Sequence, residues 1–241
     1  MKEKSRITAD ASSMTIMEHL LELKDKIVLS LIGLLISLII CLVYSKEITF
    51  FLQKPAIGIK FLQLAPGEYL FVSVKVSIYL AFLINTPFSI YQVMSFIIPG
   101  LTQKESKYVK YLIIGSLTLF LCGVTFGYNI LIPTTLQFLI RYGSDVVEPI
   151  WSLEEYFNFV LLLLFSAGIS FQIPIIQIIL SIANIIKVNN MVRSWRYIIF
   201  ASTILGAVIT PSTDPVTQIF MSGTILLLYF SGVFALKVIQ K

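Results

Sequence analysis

The chain is short of almost everything a soluble enzyme or a redox protein needs. Charged residues make up 13% of its 241 residues, histidine occurs once and cysteine twice. His19 lies outside every long apolar run, so axial ligation of haem by paired histidines inside a bundle is excluded. A serine in the membrane likewise lacks the histidine of the usual catalytic pair. No Asp or Glu falls inside a long apolar run, which removes paired-carboxylate proteolysis and carboxylate proton relays. Phosphate-loop and zinc-ligand spacings are missing too. Cys41 and Cys122 both sit within apolar runs and read as small hydrophobes, not as a disulfide.

What the chain has instead is apolar length. It is 57% hydrophobic with a mean hydropathy of +0.89, and runs of 18 or more apolar residues recur, each able to cross a core of roughly 30 Å. An all-α, polytopic membrane protein forming one domain over 1–241 is expected, with 1–13 a disordered polar tail. Spans are expected at about 27–44, 70–98, 109–132, 156–183, 197–210 and 216–236. The third should stop at Pro133, leaving 133–155 as a loop. The fifth, with 14 residues, is short for a span. Between the first two, residues 45–69 carry Pro55, Gly58 and Pro66-Gly67 and suit short interfacial helices. Pro87 interrupts the second span, where Asn85 and Thr86 can satisfy the carbonyls that proline releases.

Six spans put both termini on one side. On that topology 13 of the 18 bases, including Lys104, Lys107, Lys110 and Lys187, share the side of the termini. The positive-inside rule makes it the cytoplasm or stroma.

Helix starts are marked by S/T-x-x-E boxes at Thr15–Glu18, Thr102–Glu105 and Ser152–Glu155. The first opens an amphipathic surface helix with Ile16, Leu20, Leu23 and Ile27 on one face and Glu18, Glu22 and Asp25 on another. Glu105 has two readings from spacing alone, a cap for its own helix or an acid offered to a cationic ligand. Inside the bilayer the polar residues are neutral, and Gln172 beside Pro174 is the leading candidate for a polar contact. A helix-to-helix hydrogen bond explains it at least as well. Asp214-Pro215 fits an N-cap followed by an N1 proline.

Five strings then occur in one order: EHLLELKDK (18–26), the Pro55 loop, NTPFSIYQVMSFIIPGLTQKE (85–105), FQIP (171–174) and TPSTDPVTQ (210–218). Through them the chain resembles the TatC family, the multi-span core of the twin-arginine protein translocase, over about residues 14–238. The resemblance implies a concave, glove-like arrangement of six helices with short fifth and sixth helices. It also implies a receptor, not an enzyme, for the twin-arginine signal peptides of folded precursor proteins. Glu22 and Glu105 match the family's signal-peptide acids, with Lys24 and Phe96 as supporting positions. Lys24 stands where the family usually has Arg, and Gln172 where it often has Glu. Pro55 and Asp214 match structural or loop positions. Implied partners are single-span TatA- and TatB-like proteins, further copies of the chain and the lipid bilayer, without nucleic acid, cofactor or metal.

A small-solute secondary transporter built on the proline-broken second and fourth spans is the alternative. Composition bears on location: 37 Ile against 10 Ala, and 14 Lys against 4 Arg, suit an AT-rich coding genome. An Arg- and Ser-rich transit peptide is missing. A plastid thylakoid membrane is expected, with a bacterial inner membrane as the alternative.

Overall fold

The computed structural model describes residues 16–56, 58–97, 103–143, 148–182, 185–209 and 215–239. Helix α1 (Ile16–Val43) joins the amphipathic start and the first span in one continuous rod. No proline or glycine pair separates the two, so nothing breaks the hydrogen-bond ladder. A short helix α2 (Ser45–Gln53) and a strand β1 (Lys60–Leu62) lead into α3 (Glu68–Ile97). Helix α4 (Gln103–Phe126) passes through a π-helical turn (Gly127–Leu131) into α5 (Ile132–Gly143). Strand β2 (Ile150–Ser152), α6 (Leu153–Ser170), α7 (Ile173–Ile182), α8 (Val188–Arg193), α9 (Trp195–Ile209) and α10 (Pro215–Ile239) complete the described chain.

Five of these stretches are long and apolar enough to cross a membrane, and Trp195–Val208 is a shorter apolar helix. The 15 residues of α9 rise about 22 Å, well under a bilayer core. Of the two helices expected to be short, α9 is, whereas α10 runs 25 residues, enough for a full crossing.

The third span does not stop at Pro133. Its helix continues to Gly143, so most of the expected loop is helical. The π turn is the reason: the Ile132 N–H bonds to Gly127 O, five residues back. That wider register absorbs a residue with no N–H and a bulky ring. In α3, Pro87 lies within the helix, but Asn85 does not serve the local backbone. It reaches α1, donating to Ser30 O at 3.1 Å, and within α3 it donates to the Ser89 hydroxyl at 3.0 Å. Thr86 donates to Phe82 O, one residue before the carbonyl that Pro87 frees.

The core centres on α6, whose Phe157, Val160, Leu161, Leu163 and Leu164 are buried. Around them lie Val72 and Val76 of α3, Phe120 of α4, and Ile132 and Leu136 of α5. Helices α4 and α6 close tightly through small residues: a Cβ on Gly168 would meet Phe120 Cε2 at 2.8 Å, and one on Gly123 would meet Phe171 Cγ at 2.8 Å. Without water, such close van der Waals packing is what holds membrane helices together. Along α1, by contrast, Leu31, Leu35, Ile39 and Val43 are exposed, as a lipid-facing stripe requires.

On the face opposite the start of α1 and the end of α10, β1 and β2 pair in parallel, Phe61 against Trp151. Pro55 lies in the turn after α2, where Ala56 N–H donates to Gln53 O at 3.0 Å. The buried carboxylate of Glu68 accepts from Ala65 N–H at 3.1 Å, from Leu64 N–H, and from Glu154 N–H at 3.1 Å at the start of α6. Ser152 caps α6 through Glu155 N–H, as its box predicts.

Candidate functional site

At the other end of the bundle, α1 and α3 meet where α1 begins and α3 finishes. They run antiparallel, and two contacts fix their register there. The His19 ring stacks on Phe96 with centroids 4.1 Å apart and planes 15° apart. Deeper in, Ser30 Oγ lies 2.6 Å from Ser89 Oγ. Glu22, one turn beyond His19, falls between these contacts. Its Oε2 is 4.0 Å from His19 Nδ1, beyond hydrogen-bond range, and its side chain is 26% exposed. That oxygen is buried and has no hydrogen-bond partner among the described residues.

The second acid, Glu105, lies in the first turn of α4, and its side chain is outside the described residues. The same holds for the whole of Thr102 and Asp214. Helix α4 starts six positions after the end of α3, so its first turn follows Phe96 closely in the chain. Lys24 is not brought to the cluster: two positions along a helix turns it about 200° away from Glu22, and it is exposed.

Gln172 sits in the break between α6 and α7 and is fully engaged. Ser116 Oγ donates to Gln172 Oε1 at 2.5 Å, and Gln172 Nε2 donates to Ser116 O at 3.2 Å. Its polarity serves helix-to-helix bonding. A cavity of about 1120 Å³ lies elsewhere, against α2, α3 and α4, lined by Phe51, Leu83, Pro87, Leu121 and Tyr128 among others. It is mostly apolar and includes neither Glu22 nor Gln172.

Chemically, the α1–α3 end presents a partly shielded carboxylate beside an aromatic stack. Such a group accepts hydrogen bonds from a guanidinium or ammonium ion. Three residues here and on the opposite face escaped the sequence reading. His19 carries no sign of its partner in the sequence; Gln92, four residues before Phe96 on the same face of α3, carries none either, as an uncharged amide in an apolar run. Glu68, in A-P-G-E at a helix start, was legible as a cap acid.

Comparisons with known proteins agree with one another. The family profile described as Sec-independent protein translocase protein (TatC) matches residues 18–223. A TatC-like protein named ycf43 from Gracilaria tenuistipitata var. liui is 54% identical over 95% of this chain and 97% of its own length. The Sec-independent protein translocase protein TatC of Synechocystis is 45% identical over 96% of this chain and 91% of its own length. The chloroplastic TATC of Pisum sativum is 41% identical over 95% of this chain and 65% of its own length. The crystal structure of a twin-arginine translocase receptor TatC superposes with a TM-score of 0.82 at 32% identity, covering 93% of this chain and all of that one.

Proposed function

The chain belongs to the TatC family of Sec-independent protein translocase components, multi-pass membrane proteins and not enzymes, and from that premise we propose that it is the receptor for twin-arginine signal peptides. Glu22 and Glu105 bind the paired arginines of folded precursors at the cytoplasmic or stromal ends of α1 and α4. Single-span TatA- and TatB-like proteins, and further copies of this chain, then join it to move the precursor at the expense of the proton gradient. The membrane is that of a plastid thylakoid, a setting that suits both the chloroplastic relative and the Lys- and Ile-rich composition.

One observation carries the reading: a partly shielded glutamate whose Oε2 is buried without a donor among the described residues. Leaving such an oxygen unpaired costs about 1–3 kcal/mol, so the site is complementary to a donor-rich cation. Arginine suits it better than lysine, because its planar fork offers several N–H groups at once. The transporter alternative loses its polar lining: Asn85 is bonded to α1 and Gln172 to Ser116.

The test is photo-crosslinking of a twin-arginine signal peptide to membranes containing the protein. Glu22→Gln should abolish the crosslink while the protein remains inserted. An undiminished crosslink would refute the receptor role of Glu22.

A further inference from the structure

We propose that Gln92 is the second acceptor for the arginine bound by Glu22, and that it makes this subsite select guanidinium over ammonium. The proposal rests on the receptor reading above and adds a residue that sets its specificity.

Gln92 is only 4% exposed, and its Oε1 is buried with no hydrogen-bond partner among the described residues. Buried side-chain amides ordinarily find partners, so an orphaned carbonyl oxygen calls for a cause. Its position supplies one. Gln92 and Phe96 are one turn apart on one face of α3. That face meets α1 at the His19–Phe96 stack and again at the Ser30–Ser89 contact. Glu22 on α1 and Gln92 on α3 both lie in the interval between those contacts. Among the described residues the interval thus contains two orphaned oxygens, Glu22 Oε2 and Gln92 Oε1, one from each helix. Both are acceptors in this amide orientation, so the two oxygens cannot pair with each other.

A ligand that pairs both must bring donors pointing in two directions. A guanidinium does this within one rigid plane, turning one edge to the carboxylate and another to the amide oxygen. An ammonium ion is a compact point charge that keeps its attraction to Glu22 but has no fixed second edge. The stacked rings of His19 and Phe96 close one side of the interval.

The assay measures binding of four synthetic signal peptides, carrying RR, KR, RK or KK, to membranes containing the intact protein. Gln92→Met keeps the length of the side chain and removes the amide oxygen. It should weaken RR binding about tenfold, the loss of one hydrogen bond to a charged group. It should leave unchanged the peptide whose lysine occupies the Glu22 subsite, so that the preference for arginine at that one position disappears. Gln92→Leu, which also lacks the amide oxygen, should give the same result, and it decides the matter if Gln92→Met does not accumulate. Equal weakening of all four peptides would mean that Gln92 only supports helix packing, and the proposal would be wrong. Unchanged RR binding would overturn it as well. Glu22→Gln, run in parallel, separates the two readings. If it leaves RR binding intact, the receptor reading itself fails. If it abolishes binding while Gln92→Met preserves the arginine preference, only the role of Gln92 fails.

Discussion

Replacing Gln172 by Leu tests whether the polar residue at mid-depth is a strut or a working group. The change removes two hydrogen bonds, Ser116 Oγ to Gln172 Oε1 and Gln172 Nε2 to Ser116 O. Hydrogen bonds between membrane helices average about 0.6 kcal/mol and reach about 1.7, so two together are worth about 1–3 kcal/mol. Ser116 is fully buried, and its hydroxyl can turn to its own helix backbone, so the loss should fall at the lower end. The assay is a double-mutant cycle of Ser116→Ala and Gln172→Leu by reversible unfolding in bicelles. A coupling of about 0.6 kcal/mol, and at most about 1.7, is expected, because Ser116→Ala removes the hydroxyl bond and leaves the backbone carbonyl that accepts from Gln172 Nε2. Transport should fall only as far as the folded fraction does. A coupling near zero, or lost transport with full stability, would refute the assignment of Gln172 as a strut.

Other outcomes follow from the same geometry. Gly168→Val should destabilise the α4–α6 contact by about 1–3 kcal/mol through overpacking, since its Cβ alone would lie 2.8 Å from Phe120 Cε2; a thermal shift assay that records no loss would contradict the packing. Cysteines placed at Lys107 and Lys187 should react with a membrane-impermeant label only from the cytoplasmic or stromal side, and one at Tyr142 only from the other; any reversal overturns the topology. Transport in ATP-depleted vesicles should persist and collapse with an uncoupler, whereas strict ATP dependence in a purified system would rule out a gradient-driven process.

Features with local causes were legible in the sequence. Ser152 and Glu155 signalled the start of α6 because a cap is decided within one turn. The shortness of α9 followed from counting apolar residues between Arg196 and Pro211. The helix-to-helix reading of Gln172 needed only its depth and its amide. Features decided by distant partners were not legible. Phe61 pairs with Trp151 across a separation that carries no short-range signal. Pro133 reads locally as a stop, and only the π turn before it lets the helix run on. Asn85 reads as a local patch for Pro87 until α1 is packed against it. At the candidate site Glu22 stood out by its charge and its motif. Gln92 did not, because an uncharged amide in an apolar run gains meaning only once α1 covers it and leaves its oxygen unpaired.

The central claim is that carboxylates at the ends of α1 and α4 bind arginine, and that Glu105 does more than cap its own helix. Signal-peptide binding to Glu105→Gln and to Thr102→Ala, compared at equal levels of inserted protein, tests this most directly. Removing the Thr102 cap costs about 1 kcal/mol of helix stability, which a long packed span tolerates. Removing the charge loses about 1.5–3 kcal/mol of contact with the arginine, roughly ten- to a hundredfold in affinity. The account predicts that Glu105→Gln loses twin-arginine binding while Thr102→Ala keeps most of it. Equal damage from the two substitutions, or normal binding by Glu105→Gln, would contradict it and leave Glu105 as a cap.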